Sequence, residues 1–269
     1  MSDKTIVLIT GGNTGLGYEA VKAFYSSSNA YEILLGTRKI ENGEQAVEKL
    51  KQEIKQSSSS VSIVQADVTS DESLDTLVKG IEEKYGKLDA LISTWPLFIF
   101  ERSLELTRLP DNAGAGFDGQ IQSGKLSIRD AFNASWDTNV SGAHVLTTLA
   151  MSLLFKSKDP RLLFVTSGTS SLVETEIFEG HLARLNAAPD AGWPKSSQLN
   201  PVTSYRSTKT GLNMLMREWD RILRNDPVKV FSISPGFLAT GLGGVGTEML
   251  KKVSRLFYSP GACAITDYR

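Results

Sequence analysis

Short apolar runs alternate with longer amphipathic stretches along the 269-residue chain. The runs are Thr5–Thr10, Tyr31–Leu35, Val61–Val64, Leu88–Ile92, Leu162–Val165 and Val228–Ile233. They carry almost no polar alternation, which suits strands buried on both faces, as in a parallel sheet covered by helices. Between them, Leu16–Ser26, Asn42–Lys55, Asp71–Tyr85, Ser135–Phe155 and Ser204–Arg224 read as helices. Strand–helix alternation predicts one α/β domain over residues 1–252, a Rossmann-like doubly wound parallel sheet in three α/β/α layers. Ser57–Ser60 reads as a polar linker. Two stretches break the rhythm: Ser93–Asp111, and the tail 253–269, where no further strand–helix unit is predicted.

Composition narrows the function classes. Apolar residues make up 41% and charged residues 22%, and the formal net charge is −1, so bulk charge argues for neither a nucleic-acid nor a membrane partner. Two histidines, His144 and His181, are too few and scattered for a zinc site. The single cysteine, Cys263, excludes an internal disulfide and suits a reducing compartment. The chain opens directly on a strand-like run, and no apolar run is long enough to span a bilayer. A soluble, cytoplasmic protein is the expectation.

The first run ends in Thr10-Gly11-Gly12-Asn13-Thr14-Gly15-Leu16-Gly17 and passes straight into a helix pattern. A sharp turn that brings the backbone close to a pyrophosphate needs residues without a Cβ. The following helix start offers N–H groups and a positive dipole end to phosphate. The pattern predicts a dinucleotide loop. An NAD site places an acid about 20 residues past the glycines, at the end of the second strand. Here that end reads Leu35-Gly36-Thr37-Arg38-Lys39, with no acid before Glu41. The guanidinium fork matches phosphate oxygens, so Arg38 and Lys39 point to the 2′-phosphate of NADPH; solvated loop cations are the alternative. Asp67, before Val68, stands where it could accept from the adenine amino group or cap the next helix.

Tyr205-Arg206-Ser207-Thr208-Lys209 puts Tyr205 and Lys209 four apart, on one helix face. A phenol with a pKa of about 10 is a poor acid–base catalyst at neutral pH, and a neighbouring ammonium lowers that value. Ser167 ends the fifth strand, at the carboxyl edge where such sheets bind ligands. Asn139 lies in a helix pattern, and Pro235-Gly236, with Thr240, follows the sixth strand.

Taken jointly, TGGNTGLG, DV, NAG (Asn112-Ala113-Gly114), TNV, the strand-end serine, YRSTK and PGFLAT resemble the short-chain dehydrogenase/reductase family over roughly residues 4–92 and 112–250. The resemblance implies catalytic roles for Asn139, Ser167, Tyr205 and Lys209. Tyr205 would exchange the proton with the carbonyl or alcohol oxygen, and Ser167 would hydrogen-bond that oxygen. Lys209 would depress the Tyr205 pKa and hold the nicotinamide ribose. Asn139 would place a relay water, or simply kink its helix. Cofactor contacts would come from Thr10, Gly11, Asn13, Thr14, Gly15, Leu16, Gly17, Arg38, Lys39, Asp67, Val68, Asn112, Ala113, Gly114, Tyr205, Lys209, Pro235, Gly236 and Thr240. The long spacing from Ser167 to Tyr205 looks like the carbonyl-reductase branch. There the segment Leu172–Asn200, carrying Phe178, His181, Leu185 and Trp193, would wall the substrate site; an exposed loop without function is the alternative. The implied activity is NADPH-dependent reduction of a carbonyl to an alcohol, with a small carbonyl or alcohol as partner.

The chain also departs from the family. The Asn112-Ala113-Gly114 turn should follow the fourth strand directly, but Ser93–Asp111 intervenes. Its codons can encode a donor site from Ser93, a branch point at Leu106-Thr107 and an acceptor at Pro110-Asp111. Removing that piece keeps the frame and restores an Asn before Asn112. We therefore expect a translated, unspliced intron. Val253-Ser254 can encode another donor, so the tail 253–269 reads the same way, with the last strand lost and a sheet edge left open. The C-terminal region would carry a homodimer or homotetramer contact if intact. A second functional expectation follows: a catalytically impaired protein of this fold, a misspliced product or a nucleotide-sensing module, binding cofactor weakly. NAD-linked alcohol oxidation is disfavoured by Arg38.

Overall fold

The computed structural model describes residues 4–94, 117–179, 186–193, 195, 202–235 and 264–267. The chain runs β1 (Thr5–Ile9), α1 (Gly15–Tyr25), β2 (Tyr31–Thr37), α2 (Ile40–Glu53), β3 (Ser60–Gln65), α3 (Asp71–Tyr85) and β4 (Ala90–Ser93). It continues through α4 (Asp118–Gln122), α5 (Ile128–Trp136), α6 (Gly142–Leu154), β5 (Arg161–Val165), α7 (Thr203–Ile222), β6 (Lys229–Ser234) and β7 (Ala264–Asp267). The strands form one sheet in the order β3-β2-β1-β4-β5-β6-β7. The first six pair in parallel, and β7 joins antiparallel.

The alternation of strand side chains builds two cores from one sheet. Ile6, Leu8, Leu34, Leu91, Leu162 and Phe164 face a layer of α3, α6 and α7, where Leu74, Leu146 and Leu212 meet them. Val7, Ile9, Ile33 and Leu35 face the other way, onto Tyr18 and Val21 of α1 and Leu50 of α2. Leu8, Leu34 and Leu35 are fully buried. Each such side chain contributes roughly 1.5–3 kcal/mol by leaving water. This is the doubly wound arrangement expected. The strand order turns at the β1/β4 junction, so the carboxyl ends of β1, β4 and β5 open on one crevice.

Three expectations need correction. The predicted helix Ser135–Phe155 is interrupted: α5 and α6 are joined by a π-turn, Asp137–Ser141. The Asn139 side chain gives the cause. Its Nδ2 donates to the Ser135 carbonyl at 2.8 Å, competing for the acceptor of an ordinary helical bond. Second, the interrupting segment does not begin at the strand end. Ser93 pairs with Phe164 as the last residue of β4. Thr94 is buried against β1: its N–H donates to Thr10 Oγ1 at 3.1 Å, and its hydroxyl donates to the Thr10 carbonyl. Residues 95–111, the remainder of the supposed intron, lie outside the described residues. Third, the tail does supply a strand. Ala264–Asp267 pairs with Phe231–Ser234, so the expected open edge of β6 is covered. The unpaired N–H and C=O groups of β6 recruit it, and Ile265 and Thr266 favour extended backbone.

Among the described residues no helix is long and apolar enough to cross a membrane, and no cluster of metal-ligating side chains occurs.

Candidate active site

The turn after β1 is held from both sides. Thr10 N–H donates to the Ile92 carbonyl at 3.1 Å, and Gly12 N–H to the Gly36 carbonyl at 2.9 Å. Gly11 and Gly15 have φ of 60° and 54°, the left-handed region that glycine enters at little cost. Thr14 is the extended cap residue of α1, and its side chain makes no capping bond. The first-turn N–H groups therefore have no side-chain acceptor from the cap. Gly17 admits the close crossing of helix and loop: a Cβ there would lie 2.2 Å from the Gly11 carbonyl oxygen. Asn13, Thr14, Gly15 and Leu16 are half-buried around this turn. A pyrophosphate fits such a donor-rich, side-chain-poor helix start.

At the end of β2, Arg38 is half-buried and Lys39 exposed. The local backbone is braced by Thr37 Oγ1 donating to the Lys39 carbonyl at 3.0 Å and Gln65 Nε2 to the Arg38 carbonyl at 3.3 Å. Asp67 does not cap α3; Ser70 does, accepting from Ser73 N–H at 3.2 Å. Instead Asp67 Oδ1 accepts from both the N–H and the hydroxyl of Thr69, at 3.1 and 2.8 Å. Val68 is buried behind it, its carbonyl against Gly142. A groove of about 670 Å³ between β3 and α3 starts at Asp67 and runs away from the catalytic side chains, to Lys84 and Tyr85.

The four predicted catalytic residues stand on three elements and are all buried. Ser167 follows β5, and its Oγ lies 2.9 Å from Thr169 Oγ1. Tyr205 and Lys209 lie on α7, 2% and 0% exposed, with Lys209 Nζ 5.8 Å from the Tyr205 ring centroid. Lys209 Nζ donates to the Val165 carbonyl at 2.9 Å, tying the helix to the end of β5. Asn139 also donates to Thr208 Oγ1 at 3.3 Å, and among the described residues no donor reaches its buried Oδ1.

Electrostatics here differ from the expected pairing. Burial pushes the Tyr205 phenol well above the ordinary tyrosine range, and the nearby Ser167 hydroxyl pulls the other way. Burial also pulls the Lys209 ammonium down to about 7. Burial and the Ser167 hydroxyl set the direction at Tyr205 here. Desolvation dominates both groups, and a lysine that is only half charged at neutral pH is a weak cationic partner.

The sequence from β1 to the segment after β5, residues 5–177, matches the family model described as short chain dehydrogenase. The chain belongs to the short-chain dehydrogenase family. The short-chain dehydrogenase/reductase eupG of a Phoma species is 42% identical over 243 residues, covering 89% of this chain and 79% of the relative. The short-chain dehydrogenase/reductase tropE of Talaromyces stipitatus is 39% identical, covering 90% and 82%. Among solved structures, the alcohol dehydrogenase of the archaeon Thermococcus sibiricus, complexed with 5-hydroxy-NADP, superposes with a TM-score of 0.61 at 20% identity, covering 96% of this chain and 92% of that one. It supports the fold.

The predicted contacts Asn112, Ala113, Gly114, Gly236 and Thr240 lie outside the described residues, as do His181 and Leu185. Pro235 is described and buried directly after β6. Two features escaped the sequence reading. One is Thr94, docked on the glycine turn. The other is Arg206, next to Tyr205. Its Nε donates to the Thr169 carbonyl at 2.7 Å and an Nη to Asn186 Oδ1 at 3.0 Å. Asn186 Nδ2 in turn donates to the Glu174 and Ile177 carbonyls, each at 2.7 Å. Arg206 thus ties Thr169 and, through Asn186, the backbone at Glu174 and Ile177 to the helix that carries Tyr205. Arg206→Ala should raise the KM for substrate by about five- to tenfold, from loss of charge-assisted hydrogen bonds. Steady-state kinetics at saturating cofactor check this, and an unchanged KM would mean the segment does not depend on the clamp.

Proposed function

We propose that the protein is an NADPH-dependent reductase of aldehydes or ketones, with Tyr205 as general acid. The observation that carries this reading is the meeting of Ser167, Tyr205 and Lys209 at the carboxyl edge of the sheet, one crevice from a glycine turn fit for pyrophosphate. The nicotinamide supplies the hydride when bound. The chain supplies the proton and holds the oxygen. The Tyr205 phenol is protonated at neutral pH, the form that donates as the carbonyl oxygen gains charge; burial makes it a weaker acid, and the donation is driven by the charge developing on that oxygen. Ser167 stabilises that oxygen by hydrogen bonding. Lys209, at about 7, exchanges protons readily at neutral pH and resupplies the site. Asn139, with its buried Oδ1, suits a relay water.

Preference for NADPH rests on Arg38 and Lys39 where an NAD site has an acid. The named ligand of the Thermococcus relative is of the same kind. Arg38→Asp should weaken NADPH by about 10–100-fold, the range for losing a charged hydrogen-bond partner. NADH should be affected far less. Oxidation of the two cofactors, followed side by side with a panel of carbonyls, tests the whole reading. Faster NADH turnover by the unaltered chain would overturn the cofactor assignment, and silence toward every carbonyl would overturn the reductase assignment.

The substrate class is a bulky apolar carbonyl compound. Leu172, Val173, Phe178 and Trp193, in the segment after Ser167, expose between 64% and 79% of their surface, which suits an apolar wall that closes over substrate. A cytoplasmic setting and a homodimer or homotetramer belong to the same reading.

A further inference from the structure

The helix that carries Tyr205 and Lys209 starts without a cap of its own. Its cap position is Val202, whose side chain offers no acceptor, and the helix has no acidic residue in its first turn. The first-turn donors are instead met from another helix. Asp118, at the start of α4, turns its carboxylate onto them across 86 residues of sequence. Oδ1 accepts the Ser204 N–H at 2.8 Å. Oδ2 accepts the Tyr205 N–H at 3.1 Å and the Ser204 hydroxyl at 2.7 Å. Asp118 is 4% exposed, so these bonds are shielded from water. The Ser204 Oγ lies 3.0 Å from Ser135 Oγ. The Ser135 carbonyl is in turn the acceptor for Asn139 Nδ2.

We propose that Asp118 is a positioning residue for the general acid. It acts through the backbone of Tyr205 rather than on substrate, and the inference rests on the reading of Tyr205 given above. A buried carboxylate accepting three bonds is an exacting arrangement, since a mismatch leaves polar groups unpaired out of water. Its geometry therefore fixes where α7 begins. The Tyr205 side chain leaves the first turn of that helix, so a shift of its backbone moves the phenol directly. Misplacement by about 1 Å costs on the order of a hundredfold in rate. The Ser204–Ser135 link carries the same constraint to the π-turn that holds Asn139. One carboxylate thus sets the mutual placement of two of the proposed catalytic side chains, from a helix that carries none of them.

The test compares Asp118→Ala, Asp118→Asn and the unaltered chain by two readouts. The first is the amide exchange of residues 203–209 against that of strand 161–165. With Asp118→Ala, exchange in 203–209 should quicken by about tenfold, the size of effect expected for losing a helix cap, while the strand stays unchanged. The second is the division of the kinetic effect, using NADPH and whichever panel carbonyl the unaltered chain turns over. kcat should fall by about tenfold to a hundredfold, with KM and NADPH affinity within about twofold. Asp118→Asn keeps an acceptor oxygen and should recover part of both losses. Unchanged exchange at 203–209 overturns the proposal. So does a kcat loss that tracks equal loosening of strand 161–165, the mark of a globally weakened fold. If Asp118→Ala does not fold, Asp118→Asn gives the same two readouts with the same signs. If the unaltered chain turns over no carbonyl, the reductase reading falls, and the exchange experiment still decides whether Asp118 holds the helix.

Discussion

On the proposed reductase reading, Tyr205→Phe should lower turnover by about 10²–10⁴-fold with every carbonyl that is accepted, the range for removing a positioned general acid. NADPH affinity should stay within about twofold, because the change deletes one oxygen from a ring that otherwise packs as before. The physical case is specific to this site. The phenol is buried and protonated at neutral pH, and it shares its helix with Lys209 and its end of the sheet with Ser167. Ser167 beside it is a poor substitute acid. Single-turnover rates with bound NADPH, and a fluorescence titration of NADPH, separate chemistry from binding. A mutant with comparable turnover would remove Tyr205 from the mechanism. Lost turnover with lost NADPH binding would make Tyr205 a cofactor anchor instead.

The second large effect is expected at the glycine turn. Gly17→Ala should weaken nicotinamide-cofactor binding, read with NADPH on the proposed assignment, by at least about tenfold and cost roughly 1–3 kcal/mol in stability, the range for overpacking a close contact. The new Cβ would meet the Gly11 carbonyl oxygen at 2.2 Å and carbon at 2.7 Å, with Thr94 Oγ1 at 2.9 Å. The first two are backbone atoms, so the helix and the turn must move apart. That motion displaces the N–H groups at the start of α1 from any phosphate placed against them. Urea unfolding and NADPH titration measure the two consequences separately. Wild-type affinity in the mutant would show that the turn tolerates a wider crossing than its geometry implies. Gly12, where the nearest atoms to an added Cβ lie at 3.0–3.2 Å, should be the milder position.

What the sequence disclosed, and what it withheld, follows the range of the interactions. The six parallel strands and the helices between them were legible because burial on both faces and on one face leave different periodicities, and both are local. The glycine turn was legible because only one residue type fits its backbone. Tyr205 and Lys209 could be paired because a helix fixes their spacing. Asp118 left no such trace. Its partners lie on another helix, and an aspartate near a short helix start is an ordinary surface residue until the tertiary fold closes on it. Arg206 was hidden in the same way, since its meaning depends on Asn186 in the segment after β5. Thr94 was set aside with a stretch that broke the rhythm, yet its hydroxyl belongs to the β1–β4 seam. The strand Ala264–Asp267 was missed because four residues added antiparallel to an edge carry almost no periodic signal. Desolvation of Tyr205 and Lys209 leaves no trace in their spacing, because it depends on packing.

The π-turn has a consequence for how α5 and α6 share one face. Eight positions separate Ser135 from Ala143, and both are fully buried. At about 100° per residue, an unbroken α-helix would carry Ala143 roughly 80° away from Ser135 around the axis. The wide turn absorbs one residue, which brings the two back into phase. Leu146, Ala150 and Leu153 inherit that phase and meet α3 and the sheet. Asn139 therefore acts as an angular spacer. Shortening 137–141 by one residue would rotate the whole inward stripe of α6 by about a quarter turn, while leaving its composition and helical propensity almost untouched.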